Sequence, residues 1–201
     1  MKIDEITGYH EHPAYQQATT LFKGINKSMP GIWSKRATAL TIFMDFLATH
    51  GFKKLGKGEF GLAFEKPGYH WVFKIFTTDS AYLSYVKYAM ANQSNPNVPK
   101  FKGGLIKIND HTFAIRIEKL IDIEHRDGGS QIMIDARKLG NLNLRGESPE
   151  WLKDKYPGTY DIIQHFRSMP GVTLDLHMGN VMMRGNDTLV IVDPVYDPQA
   201  I

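Results

Sequence analysis

The sequence predicts an α+β chain in two lobes, a small antiparallel β-sheet lobe with one helix and then a reduced helical lobe. Three observations carry this expectation. Residues 52–76 read as short strands separated by Gly- and Pro-containing turns, with Trp71, Phe73 and Ile75 on one face and Val72, Lys74 and Phe76 on the other. Residues 130–169 turn to helical spacing. The chain then closes on two short apolar strands at 181–192. Strands grouped early and helices grouped late are the mark of an α+β arrangement.

Each element has a local reason. Residues 1–30 are polar, and Pro13–Lys23 is expected as a short helix stopped near Gly24. Trp33–His50 is a better helix, because Leu40, Phe43, Met44 and Leu47 recur at helical spacing and Gly51 follows as a stop. Its apolar stripe reads as packing surface. Phe52–Phe64 gives two strands around a Gly-rich turn, and Tyr69–Phe76 a third. Ser80–Ala91 is a helix on the spacing of Tyr82, Tyr85, Val86 and Ala89, ended by Pro96 and Pro99. Gly104–Ile108 and Thr112–Ile117 form a hairpin turning at Asn109–Asp110. Ser130–Leu139 and Thr159–Met169 are helices, and Val181–Met183 and Leu189–Val192 flank a Gly185–Asn186 turn. The expected domains are a helical extension at 1–50 and a compact domain at 51–201. The latter divides into lobes of about 51–119 and 120–201, hinged near Glu118–Asp122.

Bulk properties bound the function. The hydrophobic fraction of 42% suffices for a packed core, and a net charge of +3 is too small to argue for nucleic acid or a membrane surface. The absence of cysteine excludes disulfides and thiolate metal sites and suits a cytoplasmic protein. Met1–Gly8 carries charges where a signal peptide is apolar, and no apolar run has the length of a membrane span. His10-Glu11-His12 resembles a metal motif, but His at i and i+2 do not share a helix face, so a solvated segment is the plainer reading.

Three motifs carry chemistry. Gly56-Lys57-Gly58-Glu59-Phe60-Gly61 lies between two strands. Glycines there let backbone N–H groups approach phosphate oxygens, although an ordinary hairpin explains the motif alone equally well. A dinucleotide site needs a helix directly after the glycines, and Leu62–Phe64 continues as strand instead. Lys74 sits mid-strand among large apolar residues, a costly place for an ammonium without an anion; the alternative is a snorkelling lysine on an edge strand. The most specific motif is Asp175-Leu176-His177-Met178-Gly179-Asn180, followed by Asp193 after two short strands. An Asp five residues before an Asn can put a base beside a nucleophile and an amide oxygen on a metal, and a strand-ending Asp supplies a metal carboxylate.

These motifs in this order resemble the protein-kinase superfamily. More particularly, Gly51-Phe52-Lys53-Lys54-Leu55-Gly56, Leu174-Asp175-Leu176-His177-Met178-Gly179-Asn180-Val181-Met182 and Val192-Asp193-Pro194-Val195 resemble the kinase domains of the early serine/threonine kinases of T7-like phages, over about residues 51–197. The resemblance implies a two-lobed protein-kinase-like fold and ATP- and Mg²⁺-dependent phosphoryl transfer to host or self proteins in the host cytoplasm. Gly56, Gly58, Phe60 and Gly61 would cover the ATP phosphates and Lys74 would hold the α/β-phosphates. Asp175 would accept the substrate proton, with His177 where such kinases carry a loop lysine. Asn180 and Asp193 would bind Mg²⁺. Ile117 would back the adenine pocket, and the backbone of Glu118 and Leu120 would meet the adenine edge.

The sequence departs from the family pattern in named places. The usual His-Arg before the catalytic Asp is Thr173-Leu174, and Asp193 is followed by Pro194-Val195. Residues 80–91 hold no Glu to pair with Lys74, leaving Gln93 or Asp79 as the nearest polar candidates. The sequence ends eight residues after Asp193, and with Leu174 in the Arg position an enzyme active without loop phosphorylation is expected. Two rival readings stay open. Asp-Leu-His favours a small-molecule phosphotransferase of the aminoglycoside or choline type. The missing Glu favours a pseudokinase that binds and blocks a host protein.

Overall fold

The computed structural model describes residues 20, 44, 45, 47–57, 61–77, 80–107, 112–123, 130–145 and 148–198. The expected helix at 13–23 (apart from Thr20) and the expected turn at Asn109–Asp110 lie outside the described residues. The described chain forms two compact units. The first holds the residues up to 77 with Phe101–Ile117, and the second holds 80–100 and the residues from Glu118 onward.

The first unit is built on a five-stranded sheet of order β1-β2-β3-β5-β4. Its strands are β1 (Lys53–Lys57), β2 (Gly61–Glu65), β3 (Trp71–Thr77), β4 (Phe101–Lys107) and β5 (Thr112–Glu118). β1, β2 and β3 form an antiparallel meander, with Ala63 opposite Lys74 and Leu62 opposite Ile75. One sheet face contributes Leu62, Phe64, Phe73, Ile75 and Ala114 to a core that also buries Leu47 and Phe52 and takes in Met44. The apolar stripe read in the 33–50 helix is therefore core at Met44 and Leu47. The described helical residues 47–49 end in a Schellman motif: the Phe52 N–H donates to the Leu47 carbonyl at 2.9 Å and the Gly51 N–H to the Ala48 carbonyl at 2.9 Å. Gly51 has φ +79, a conformation that a β-carbon strains. The motif's usual apolar contact is made by Leu47 and Phe52.

The second unit contains α1 (Ser80–Ala91), α2 (Gln131–Arg145), α3 (Leu152–Lys155) and α4 (Pro157–Arg167). Its strands are short: β6 (Ile121–Asp122), β7 (Thr173–Leu174), β8 (Val181–Arg184), β9 (Thr188–Ile191) and β10 (Val195–Tyr196). They form a three-stranded sheet, β6-β8-β9, and a β10-β7 pair. α1 has the bounds its spacing predicts. It follows the first-half strands in sequence but belongs to the second unit, and its side chains explain why. Ala81, Tyr82, Tyr85, Val86 and Ala89 form one buried face. The Tyr85 ring meets Phe166 at 5.9 Å, and its hydroxyl donates to the Ile191 carbonyl. Ser80 Oγ donates to Asp197 Oδ2 at 2.7 Å.

The turn after α1 is fastened by amides. Asn97 is buried; its Nδ2 donates to the Leu189 carbonyl at 2.7 Å, and its own carbonyl accepts from Ile191 at 2.9 Å. Asn95 Nδ2 donates to the Gly158 carbonyl at 3.0 Å, while its Oδ1 accepts from the Asn97 N–H at 2.8 Å. Gly158 must lack a side chain, because a β-carbon there would lie 2.0 Å from Asn95 Oδ1. Among the described residues no helix is long and apolar enough to cross a membrane.

Candidate active site

Lys74 and two of the expected glycines lie in the first unit. Gly58 and Phe60 lie outside the described residues. Gly56 stands in β1 beside a register irregularity between Lys54 and Gly56, and a β-carbon there would meet nothing within 4 Å. Gly61 opens β2 in a tighter setting. A β-carbon there would lie 3.0 Å from the Ile75 carbonyl oxygen and 3.6 Å from Lys74 Cε. The lysine stem thus passes next to Gly61, which explains a glycine in a strand that otherwise favours branched residues. Lys74 is half-buried, between the fully buried Phe73 and Ile75 of its own strand.

The other three expected polar residues, Asp175, Asn180 and Asp193, lie in the second unit on one small backbone frame. β7 pairs with β10, setting Leu174 opposite Val195. Directly beyond that pair the Asp175 N–H donates to the Pro194 carbonyl at 2.7 Å. On the other side of Asp193, the Val192 N–H donates to the Asn180 carbonyl at 2.9 Å. Asp193 is therefore bracketed by two backbone bonds, one to each end of the Asp175–Asn180 loop. The Asn180 side chain closes that loop, its Nδ2 donating to the Asp175 carbonyl at 2.8 Å and to Asp175 Oδ2 at 3.1 Å. Because the NH₂ end of the amide takes both acceptors, Oδ1 turns away from Asp175.

His177 caps the 3₁₀ turn Met178–Asn180, with Nδ1 accepting from the Gly179 N–H at 3.1 Å. A backbone N–H can only donate, so Nδ1 is the acceptor and the neutral ring carries its proton on Nε2. That nitrogen faces Asp175 Oδ2 at 3.7 Å. Tyr85 supports the frame from α1 through its bond to Ile191, two residues before Asp193. Burial, then the neighbouring Tyr82 and Asp193, push its hydroxyl well above the ordinary tyrosine range, which keeps it a donor.

Glu118 is the last residue of β5, and Leu120 lies two residues beyond it. The Glu118 N–H donates to the Lys100 carbonyl at 2.9 Å, so a ligand contact from Glu118 backbone has to use its carbonyl. Sequence reasoning missed what holds this residue. Arg184 Nε donates to Glu118 Oε2 at 2.9 Å, across 66 residues of chain. Before the Gly185 turn an arginine reads as an ordinary solvated side chain, so no local signal marks it. Gln93, considered beside Lys74, donates its Nε2 to the carbonyls of Ala89 at 2.7 Å and Pro99 at 3.0 Å. Asp79 lies outside the described residues.

The residues present fit a magnesium ion arriving with a nucleotide. Among the described residues no group of three or more His, Asp or Glu could hold a metal alone. Mg²⁺ is ordinarily held by one or two carboxylates together with substrate phosphates, and the Asn180 amide oxygen and Asp193 carboxylate are hard oxygen donors of that kind.

No curated protein gives a significant match. Among solved structures the chain is similar to the kinase PK-1 of Cydia pomonella granulovirus, with 14% identity and a TM-score of 0.39 over 77% of this chain. The chain spans 57% of the length of that kinase. The family profile described as bacteriophage T7 protein kinase 0.7 matches residues 34–197, well over half of the sequence and every polar group of the site, and the chain belongs to that family.

Proposed function

We propose that this protein is an ATP- and Mg²⁺-dependent protein kinase that moves the γ-phosphoryl group to Ser or Thr hydroxyls of host or self proteins. The observation that carries the reading is the bracketing of Asp193 by the Asp175–Asn180 loop, since a base and two oxygen donors to a metal would need such a shared frame. Membership of a phage kinase family supports the same reaction class.

In this reading Asp175 accepts the proton of the attacking hydroxyl, and Asn180 orients it through the Nδ2 bond. His177 offers an Nε2–H donor beside that carboxylate for oxygens of the moving phosphoryl group. Lys74 pairs with the α/β-phosphates, and Gly56, Gly58, Phe60 and Gly61 cover them. Asn180 Oδ1 and Asp193 hold Mg²⁺, which supplies neutralisation of charge on the phosphates. The Glu118 carbonyl and Leu120 backbone meet the adenine edge, with Ile117 behind it. We place the protein in the host cytoplasm, in keeping with a cysteine-free sequence.

A second reading has one observation in its favour. α1 holds no acidic residue to pair with Lys74, as a pseudokinase would tolerate. Calorimetric titration of Mg-ATP tests the site itself. Lys74→Ala and Asp193→Ala are expected to weaken binding about ten-fold or more while the circular dichroism spectrum is kept. Unchanged affinity in both variants, with the unaltered protein binding, would place ATP elsewhere.

A further inference from the structure

The Arg184 guanidinium is the hub of a network around Glu118. Nε donates to Glu118 Oε2 at 2.9 Å, and Nη2 contacts Glu118 Oε1, a bidentate fork. Nη1 donates to the Pro96 carbonyl at 2.7 Å, and Nη2 also to the Val98 carbonyl at 2.9 Å. Glu118 in turn binds Lys100 twice: Oε1 accepts the Lys100 N–H at 2.6 Å, and the Glu118 N–H donates to the Lys100 carbonyl. The arginine and glutamate side chains are 28% and 14% exposed, so water screens them far less than an ordinary surface pair. Lysine cannot replace this, because one ammonium on a flexible stem does not span three acceptor groups in a planar fork.

We propose that Arg184 is a positioning residue for the nucleotide base. It fixes the Glu118 backbone through the Glu118 carboxylate, so that the carbonyl stands ready for the adenine edge. The inference rests on the nucleotide-site reading above and adds to it a residue that touches no ligand. The Glu118 N–H is committed to Lys100, so the base depends on a carbonyl whose direction follows the backbone angles of this one residue. Without the fork, the segment samples other angles and binding must first collect them, which weakens affinity for the base and leaves phosphate recognition alone.

The test compares the unaltered protein with Arg184→Met and Arg184→Lys in two measurements. The first is amide hydrogen exchange at Lys100 and Glu118 without nucleotide. The second is the affinity for Mg-ADP and for Mg-tripolyphosphate, which lacks the base. In the Met variant both amides should exchange at least about ten-fold faster, Mg-ADP should bind about ten-fold more weakly, and tripolyphosphate affinity should stay within about two-fold. The Lys variant should fall between. Unchanged exchange would overturn the clamp. Faster exchange with unchanged Mg-ADP affinity would overturn the link to the base, and equal weakening of both ligands would reduce Arg184 to a general structural role. An unaltered protein that binds neither ligand would instead overturn the nucleotide-site reading, and the positioning role with it, while the exchange data still judge the clamp. Should Arg184→Met not fold, Glu118→Gln gives the same readings, since it keeps the backbone and weakens the fork.

Discussion

A general base has to be reachable, held in one orientation and flanked by groups that do not take its place. Asp175 meets these demands with a side chain 43% exposed, an Asn180 amide at 3.1 Å, and a backbone N–H tied to Pro194. Asp175→Asn is nearly isosteric and removes only the proton acceptor and its charge. Phosphoryl transfer should fall about 10²–10⁴-fold while Mg-ATP affinity holds, as read by single-turnover kinetics beside calorimetry. Transfer at the unaltered rate would remove Asp175 from the base role. His177 combines two duties that a substitution can separate. Asn is a good cap, so His177→Asn should keep the melting temperature while losing the Nε2–H donor. A fall in kcat of about ten- to hundred-fold is expected; an unchanged kcat would leave His177 with capping alone.

At the scale of elements, packing gives predictions that do not depend on the chemistry. Gly158→Ala places a methyl 2.0 Å from an Asn95 oxygen that is already bonded to Asn97. The start of α4 or the 95–97 turn has to shift, at about 1–3 kcal/mol, measurable by urea unfolding. The second case is Asp135 on α2, whose side chain is 2% exposed and ion-paired with Lys155. Burial raises its pKa, but hydrogen bonds from Lys155, Tyr156 and Gln131, with the Lys155 charge, outweigh burial and hold it below the ordinary carboxylate range. A lowered folded pKa gives stability that is present above the unfolded value of ~3.9 and lost as pH falls through the folded one. Asp135→Asn should therefore be less stable than the unaltered protein at pH 7, and the gap should narrow as pH drops below about 4. A gap that does not change with pH would contradict the ion-pair account.

What could be read from sequence at this scale follows from how local each signal is. α1 was legible to the residue because Ser80 opens it, its spacing is regular and prolines follow. The Gly51 stop was legible because a Schellman end is a short-range device. α2 runs on to Arg145, beyond the expected Leu139, because Leu142 is buried past Gly140 and Asn141, residues that weaken the helical signal. The two-residue strands β6, β7 and β10 and the short helix α3 carry too few residues for any period. Spacing singles out Asp175, Asn180 and Asp193 as candidates, but the bonds that bracket Asp193 are tertiary and leave no local signal. The Glu118–Arg184 fork was not legible at all, since only the fold brings together residues so far apart in the chain.

At the scale of the whole molecule, the described chain divides into two units, with Lys74, Gly56 and Gly61 in one and Asp175, Asn180 and Asp193 in the other. The proposed reaction is transfer of phosphate from ATP to protein. The most direct test incubates the purified protein with Mg²⁺, γ-labelled ATP and a bacterial lysate, in parallel with Asp175→Asn. The protein bands are then hydrolysed to phosphoamino acids. Label is expected on phosphoserine or phosphothreonine with the unaltered protein and none above background with the variant. Mg-ATP binding without label on any protein, or label confined to small molecules, would contradict it.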